Sequence, residues 1–420
     1  MSHLFKIALG GGGGEEYVDT VAFDATAKTL TRIGQTSVPN SSWIIAHPTA
    51  QGVYFATGEL DGGVVRALQF GADGKTEIIA EQRTYGMHPT HLAVSTDGTE
   101  LFVANYSEGG VGVLPIIPAA PYLKPDILQF QAVEFMHTPA APTEPVAHSG
   151  FNPERQEASH PHQVLVLPAP HDEVLVPDLG SDKIWRLAKA PGEAEWNIVG
   201  FVAFPRGSGP RHAAFVDGVL YTVLELSNEL SAHQFPPLPE EPTHIKTHST
   251  LTAAPTHSTK AAIHPSSIVY TDSTSPTAAS FDTTLTAATA APSVPTPAGE
   301  DAPPQLAAEI LVPPPLKADG AARFVYVSNR NEPSALGDSI SVFGTHPAFA
   351  LVARIATGTQ HLRGLEFSPA VGEYEAGQFL ALAGANGGGV KVYERKPRGV
   401  LELLETATLD LEGKSSIVWL

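Results

Sequence analysis

The chain reads as an all-β protein, a seven-bladed β-propeller whose ring is closed by its N- and C-terminal strands in one blade. Three observations predict it. Runs such as Val53-Tyr54-Phe55-Ala56-Thr57, Leu101-Phe102-Val103-Ala104 and Phe324-Val325-Tyr326-Val327 are short, aromatic and β-branched, and bounded by Gly, Pro, Asn or Asp, as strands are. A cassette recurs in which a polar residue opens one apolar run and a second apolar run ends in another polar residue. Its opening residues, Trp43, His91, His162, Arg211, Glu309 and Arg363, are 48, 71, 49, 98 and 54 positions apart by subtraction, a base period near 50 that suits a four-stranded blade.

Taken in order, Leu4-Phe5-Lys6-Ile7-Ala8-Leu9 and Tyr17 to Phe23 are the first two strands. The glycines Gly10 to Gly14 turn between them and lack the Lys-Ser or Lys-Thr of a phosphate loop. The cassettes follow: His91 to Asn105, His160-Pro161-His162 to Asp178, Arg211-His212 to Glu225, Glu309 to Asn329-Arg330, and Arg363 to Ala385-Asn386. Last comes Ser415-Ser416-Ile417-Val418-Trp419-Leu420, which has no partner after it and is expected to pair with the first strands. Such closure removes the edges an open array exposes. Two stretches exceed the period. Residues 115–158, rich in Pro and Ala, are expected to be an inter-blade insertion, and 236–306, rich in Thr, Ser, Pro and Ala, a disordered one. The whole of 1–420 is then a single propeller.

Composition narrows the partners. A net charge of −19 with 25 Lys and Arg opposes a nucleic-acid or anionic-membrane surface. The absence of cysteine removes disulfides, thiolate nucleophiles and Cys-bound zinc. No stretch reaches the roughly 20 apolar residues of a membrane span, and the first residues lack the apolar run of a signal peptide, so a soluble cytoplasmic protein is expected. Oligomeric state leaves no mark on the sequence.

The cassette has a geometric consequence. If its two runs are antiparallel neighbours, the start of the first and the end of the second share one edge of the sheet. Histidines, arginines and acids from several blades then meet on one rim.

The segments His88-Pro89-Thr90-His91, Val103-Ala104-Asn105-Tyr106, Val176-Pro177-Asp178-Leu179-Gly180, Gly209-Pro210-Arg211-His212 and Ser328-Asn329-Arg330 resemble the seven-bladed propeller lactonase family. That family includes bacterial-type 6-phosphogluconolactonase and fungal 3-carboxy-cis,cis-muconate cyclase. The resemblance spans the chain outside the two long stretches. It implies a catalytic set of His162, Arg211, Glu225 and Arg330, with no metal and no cofactor, acting on a small anionic lactone or its open acid. Opening a lactone needs a base to activate water and cations for the oxyanion. Either His162 or Glu225 would move the proton, and Arg211 and Arg330 would hold negative charge. His91, His160, His212, Glu309, Asn329 and Arg363 are expected to support substrate binding. The second and third segments resemble the phosphogluconolactonase branch, so hydrolysis of 6-phosphogluconolactone is the leading expectation. The alternatives are the cyclase reaction and a non-catalytic scaffold for protein binding.

Each residue also has a plainer role. His91 and His212 suit hydrogen bonds between blades, Arg211 with Glu225 an inter-strand ion pair, and Asn105 and Asp178 turn caps. His88, His91, His160 and His162 could ligate a divalent ion, although calcium would want an Asp-rich loop that is missing. His244, His248, His257 and His264 fall in the second long stretch and are expected to be solvated. No Gly-x-Ser-x-Gly or His-Glu-x-x-His is present. Leu362 precedes Arg363 where many family members carry Pro, which puts the alignment of Arg363 in question.

Overall fold

The computed structural model describes residues 3–124, 131–135, 152–251, 303–345 and 349–420. They form seven four-stranded antiparallel sheets, and the only helical turns among them are the short 3-10 segments Lys317–Asp319 and Pro397–Gly399. The seven innermost strands are Ile44–Ala46, Pro89–Val94, Leu165–Leu167, Pro210–Val216, Leu306–Leu311, Gln360–Phe367 and Ser416–Trp419. The blades are numbered here 1 to 7 in that order.

Blade 7 is the closure. Ser416–Trp419 pairs with Leu4–Gly10, Ile7 opposite Trp419 and Gly10 opposite Ser416, so the last strand of the chain lies innermost and the first strand second. Phe5, Phe23, Phe379 and Trp419 pack edge to face at 5.0 to 6.2 Å across the joint between blades 6 and 7. Between neighbouring blades the core is apolar. Blades 2 and 3, for example, bury Phe102, Val111, Val113, Val174, Val176 and Leu187 against each other.

Both long stretches contain blade strands. Gln131–Glu134 is the outer strand of blade 2, Thr243–Ser249 that of blade 4, and Leu306 opens blade 5. Strands thus occupy part of each expected insertion; 125–130, 136–151 and 252–302, with His257 and His264, lie outside the described residues. His248 is not simply solvated: its Nε2 bonds the Phe349 carbonyl at 2.8 Å, whereas His244 is exposed on the same strand. No helix among the described residues is long and apolar enough to cross a membrane.

Strand register delivers the expected convergence. Pro89 pairs with Asn105, Pro210 with Leu224, Leu306 with Arg330 and Gln360 with Gly387, each the start of an inner strand against the end of the second, and in blade 3 an isolated bridge joins Pro161, ahead of the inner strand, to Asp178. One feature of these pairs was not legible in sequence. The register slips at Pro89/His91, Pro210/His212, Ala307/Ile310, Gln360/Leu362 and Leu362/Gly364. A bulge leaves one residue unpaired and re-aims its side chain. In blades 4 and 6 those unpaired residues include Arg211 and Arg363.

Candidate active site

Two connected arrangements occupy the rim. The first is a line of hydrogen bonds across blades 3, 4 and 5. Glu309 Oε1 lies 2.8 Å from His212 Nδ1, and His212 Nε2 lies 3.2 Å from His162 Nδ1. All three residues are buried, but His162 Nε2 has no partner among the described residues and is not sealed from solvent. Proton placement is constrained. With Glu309 ionised, His212 donates from Nδ1 and accepts at Nε2, His162 donates from Nδ1, and His162 Nε2 is left as a free base. His91 flanks the line, its ring 5.4 Å from that of His212 and 4.3 Å from Trp43. Val164 N donates to His91 Nδ1 at 3.4 Å.

The charges around this line set its protonation. Burial first, then Arg211, His212 and Arg363, hold His162 well below the usual histidine range. Burial, Arg211 and Arg363 do the same to His212. Burial pushes the Glu309 carboxyl up to about 7 despite the opposing pull of Arg211. Three groups so close exchange protons as a unit.

The second arrangement surrounds Glu225, which follows the second strand of blade 4. Arg155 Nη2 donates to Glu225 Oε1 at 2.7 Å. Arg211 Nε and Arg330 Nη2 each lie 2.8 Å from Oε2. The latter two are ion pairs at angles too poor for hydrogen bonds, which leaves Oε2 without a hydrogen-bonded partner. Burial pushes the Glu225 carboxyl up, but Arg330, Arg211 and Arg155 outweigh it and hold it down at about 2. Burial and mutual repulsion bring Arg211 to about 9 and Arg330 to about 10. Arg363, beside them, makes no ion pair or side-chain hydrogen bond among the described residues. Several guanidiniums thus stand against one fully ionised carboxylate. In a protein of net charge −19, that is a local positive focus.

The sequence-derived residues divide by where their side chains go. His162, Arg211, Glu225 and Arg330 come together, with His91, His212, Glu309 and Arg363 around them. His160 and Asn329 are spent elsewhere. His160 bonds the Tyr106 carbonyl through Nδ1 and Glu157 through Nε2, both at 3.0 Å, and stacks on the Tyr106 ring. Asn329 turns away from the rim cluster, donating to Ser339 Oγ and Ser341 Oγ of its own blade and to Thr250 O, which follows the outer strand of blade 4. Asp178 accepts from His160 N, Ser159 Oγ, Ser181 N and Trp185 Nε1, the bonds of a turn cap. Among the described residues no group of three His, Asp or Glu is set to hold a metal ion.

Three residues were not expected at the site from sequence. Arg155 belongs to 152–158, within the first long stretch, and its guanidinium Nε lies 3.4 Å from Tyr106 Oη. Tyr106 meets the His162 ring edge-on at 5.7 Å. His361 bonds Asn331 at 2.9 Å and is pushed down to about 4 by burial, Arg330, Arg363 and Arg211. His361 and Asn331 line a cavity of about 620 Å³ together with Asn228, Gln305, Glu332 and Asn386. One signal was available. Arg155 is the only lysine or arginine between Lys124 and Lys183, and it stands five residues before the His160-Pro161-His162 cassette.

The family model for seven-bladed β-propeller lactonases matches residues 7–271 and 268–419. The 6-phosphogluconolactonase of Bacillus subtilis is 28% identical over 230 residues, 54% of this chain and 60% of that protein. The match spans less than two thirds of that relative's length. Among solved structures, the periplasmic gluconolactonase of Pseudomonas aeruginosa superposes with a TM-score of 0.69 at 23% identity, over 99% of both chains. A Lactobacillus plantarum protein superposes with a TM-score of 0.70 at 20% identity over 100% of both. At such identities the superpositions establish the shared fold. With the family model covering almost all of the seven blades, the chain belongs to the seven-bladed β-propeller lactonase family.

Proposed function

We propose that this protein hydrolyses an anionic sugar lactone, 6-phosphoglucono-1,5-lactone, to the open acid. The observation that carries this is the Glu309–His212–His162 line, which ends in a neutral, solvent-reaching Nε2 beside a surplus of guanidinium charge. His162 Nε2 takes a proton from water as its oxygen attacks the lactone carbonyl. Arg211 and the uncommitted Arg363 face the oxyanion that forms. Collapse of the tetrahedral intermediate breaks the bond from the acyl carbon to the ring oxygen, and the His162 imidazolium returns its proton to that oxygen. Water is consumed and a hydroxy acid leaves. General base catalysis contributes about 10²- to 10⁴-fold and oxyanion donors a further 10²- to 10³-fold.

Glu225 takes no part in proton transfer here. A carboxyl held at about 2 stays ionised at neutral pH, and its task is to fix the guanidiniums. The Bacillus subtilis relative, by its name, supports the choice of a phosphorylated lactone. A cytoplasmic location goes with a phosphorylated sugar substrate. The same residues suit the cyclase reaction less well, because closing a muconate needs a proton donor at carbon and His162 is held neutral. A protein scaffold would need its charge on an outer face, whereas these cations are sunk in the central mouth.

The test is a paired assay on purified protein. Acid release from 6-phosphoglucono-1,5-lactone should exceed the spontaneous rate, and 3-carboxy-cis,cis-muconate should keep its diene absorbance. Loss of the diene with no acid release would replace hydrolysis by cyclisation. Inactivity of folded protein on both would overturn the enzyme assignment.

A further inference from the structure

We infer that Arg155 binds the anionic substituent of the substrate and sets a preference for charged over neutral lactones. The inference rests on the lactonase function proposed above, and four observations lead to it.

Arg155 is held in place by residues other than itself. Asn152 forms the turn, its carbonyl accepting from the amides of Arg155 and Gln156 and its Oδ1 from Glu154 N. The buried Gln156 side chain donates at 2.9 Å to both Leu179 O and Asp182 Oδ1. The loop packs so tightly on blade 3 that a Cβ on Gly180 would sit 1.7 Å from Ala158 O. A guanidinium carried on such a loop is positioned before any ligand arrives.

Its donors are only partly used. Nη2 serves Glu225 and Nε serves Tyr106, while Nη1 has no partner among the described residues and is not sealed from solvent. A guanidinium edge left open in this way suits two oxygens of a phosphate or carboxylate.

Exposure separates it from its neighbours. The Arg155 side chain is 31% exposed, against 3% for Arg211 and 6% for Arg330. A substituent distant from the reacting carbonyl keeps contact with water and meets Arg155 first.

Position separates the arginines by task. Arg211, Arg363 and Arg330 are the cations that act on His162. Arg155 acts on Glu225, Tyr106 and Arg330, with the Tyr106 ring standing between it and the His162 ring. The reacting carbonyl belongs beside His162, and the charged tail beside Arg155.

The experiment compares wild type with Arg155→Gln and Arg155→Lys in two ways. Calorimetry measures binding of 6-phosphogluconate and of gluconate, and steady-state kinetics compare 6-phosphoglucono-1,5-lactone with glucono-1,5-lactone. Arg155→Gln should lower the preference for the phosphorylated member of each pair roughly 10- to 100-fold, mostly through KM, as expected for a lost charge-assisted contact. Arg155→Lys should recover part of it, since charge returns without the fork. An unchanged preference, or equal losses on both members, would overturn the role of Arg155. If wild type opens neither lactone, the hydrolytic assignment fails by itself. Binding still decides Arg155, and wild type that binds 6-phosphogluconate no better than gluconate refutes it.

Discussion

Two buried ionic sites in this molecule hold arginine against glutamate in opposite ways. At the far end of blade 3, Arg186 meets Glu173 one to one, Nε to Oε2 at 2.6 Å and Nη2 to Oε1 at 2.8 Å. Arg186 Nη1 donates to Glu240 O and its guanidinium lies over the Phe235 ring. One guanidinium meets one carboxylate there, with His171 Nδ1 3.8 Å from Glu173 Oε1 beside them. On the rim, Glu225 faces Arg155, Arg211 and Arg330, and its Oε2 carries two ion pairs without one well-angled hydrogen bond. Burial works against those guanidiniums, lowering Arg211 to about 9. A pair that only holds the fold has no reason to carry surplus charge, because desolvating each extra ion costs several kcal/mol. A site that must meet an anion does.

The comparison is sharpened most by His162→Gln, which touches neither ionic site. Turnover should fall by about 10²- to 10⁴-fold with the melting temperature nearly unchanged. Loss of folding with it would mean that the hydrogen-bonded line is architecture and not machinery.

Acid tests the Glu225 cluster next. Its folded pKa of about 2 lies below the unfolded 4.5, so its stabilisation is fully present above 4.5 and is lost as pH falls toward 2. A shift of that size is worth about 3 kcal/mol. Chemical denaturation of wild type and Glu225→Gln across pH 5 to 2 should give slopes that differ by about one proton. Parallel slopes would show that the clasp contributes nothing.

Glu309→Gln has the smallest expected effect. The Glu309 carboxyl, raised to about 7, is ionised above that value and protonated below it. Once protonated it donates to His212, reverses the hydrogen bonds, and leaves His162 Nε2 carrying a proton. Wild-type kcat/KM should therefore decline as pH falls through about 7, and the variant should lose that step. A persistent step would assign the titration to another group.

The fold was legible because its signals repeat. A polar opening about every 50 residues gave the blades, and strands at both ends without other partners gave the closure, which Ile7 opposite Trp419 realises. The rim was legible for the same reason, since antiparallel register brings Leu306 to Arg330 and Pro210 to Leu224. Residue direction was not. His160 and Asn329 share the rim with His162 and Arg330 but spend their ring and amide nitrogens on other partners, His160 on Tyr106 O and Glu157 and Asn329 on serines of its own blade and Thr250 O. The bulges that release Arg211 and Arg363 have no sequence mark here, as each adds one residue to an otherwise ordinary strand. Arg155 was hidden by composition: a Pro- and Ala-rich stretch reads as a linker, and its contact with Glu225 spans 70 positions.

The central claim is that surplus charge at Glu225 serves chemistry while matched charge at Glu173 serves the fold. The most direct measurement sets Arg211→Met beside Arg186→Met, recording 6-phosphoglucono-1,5-lactone hydrolysis and unfolding free energy for both. Arg211→Met should lose about 10²- to 10³-fold in turnover and less stability than Arg186→Met, because two guanidiniums still hold Glu225 and the Arg211 bond to Ala308 O is the main one lost. Arg186→Met should lose about 3 to 5 kcal/mol of stability, with full turnover per folded molecule. The same response from both variants, in either property, would contradict the account.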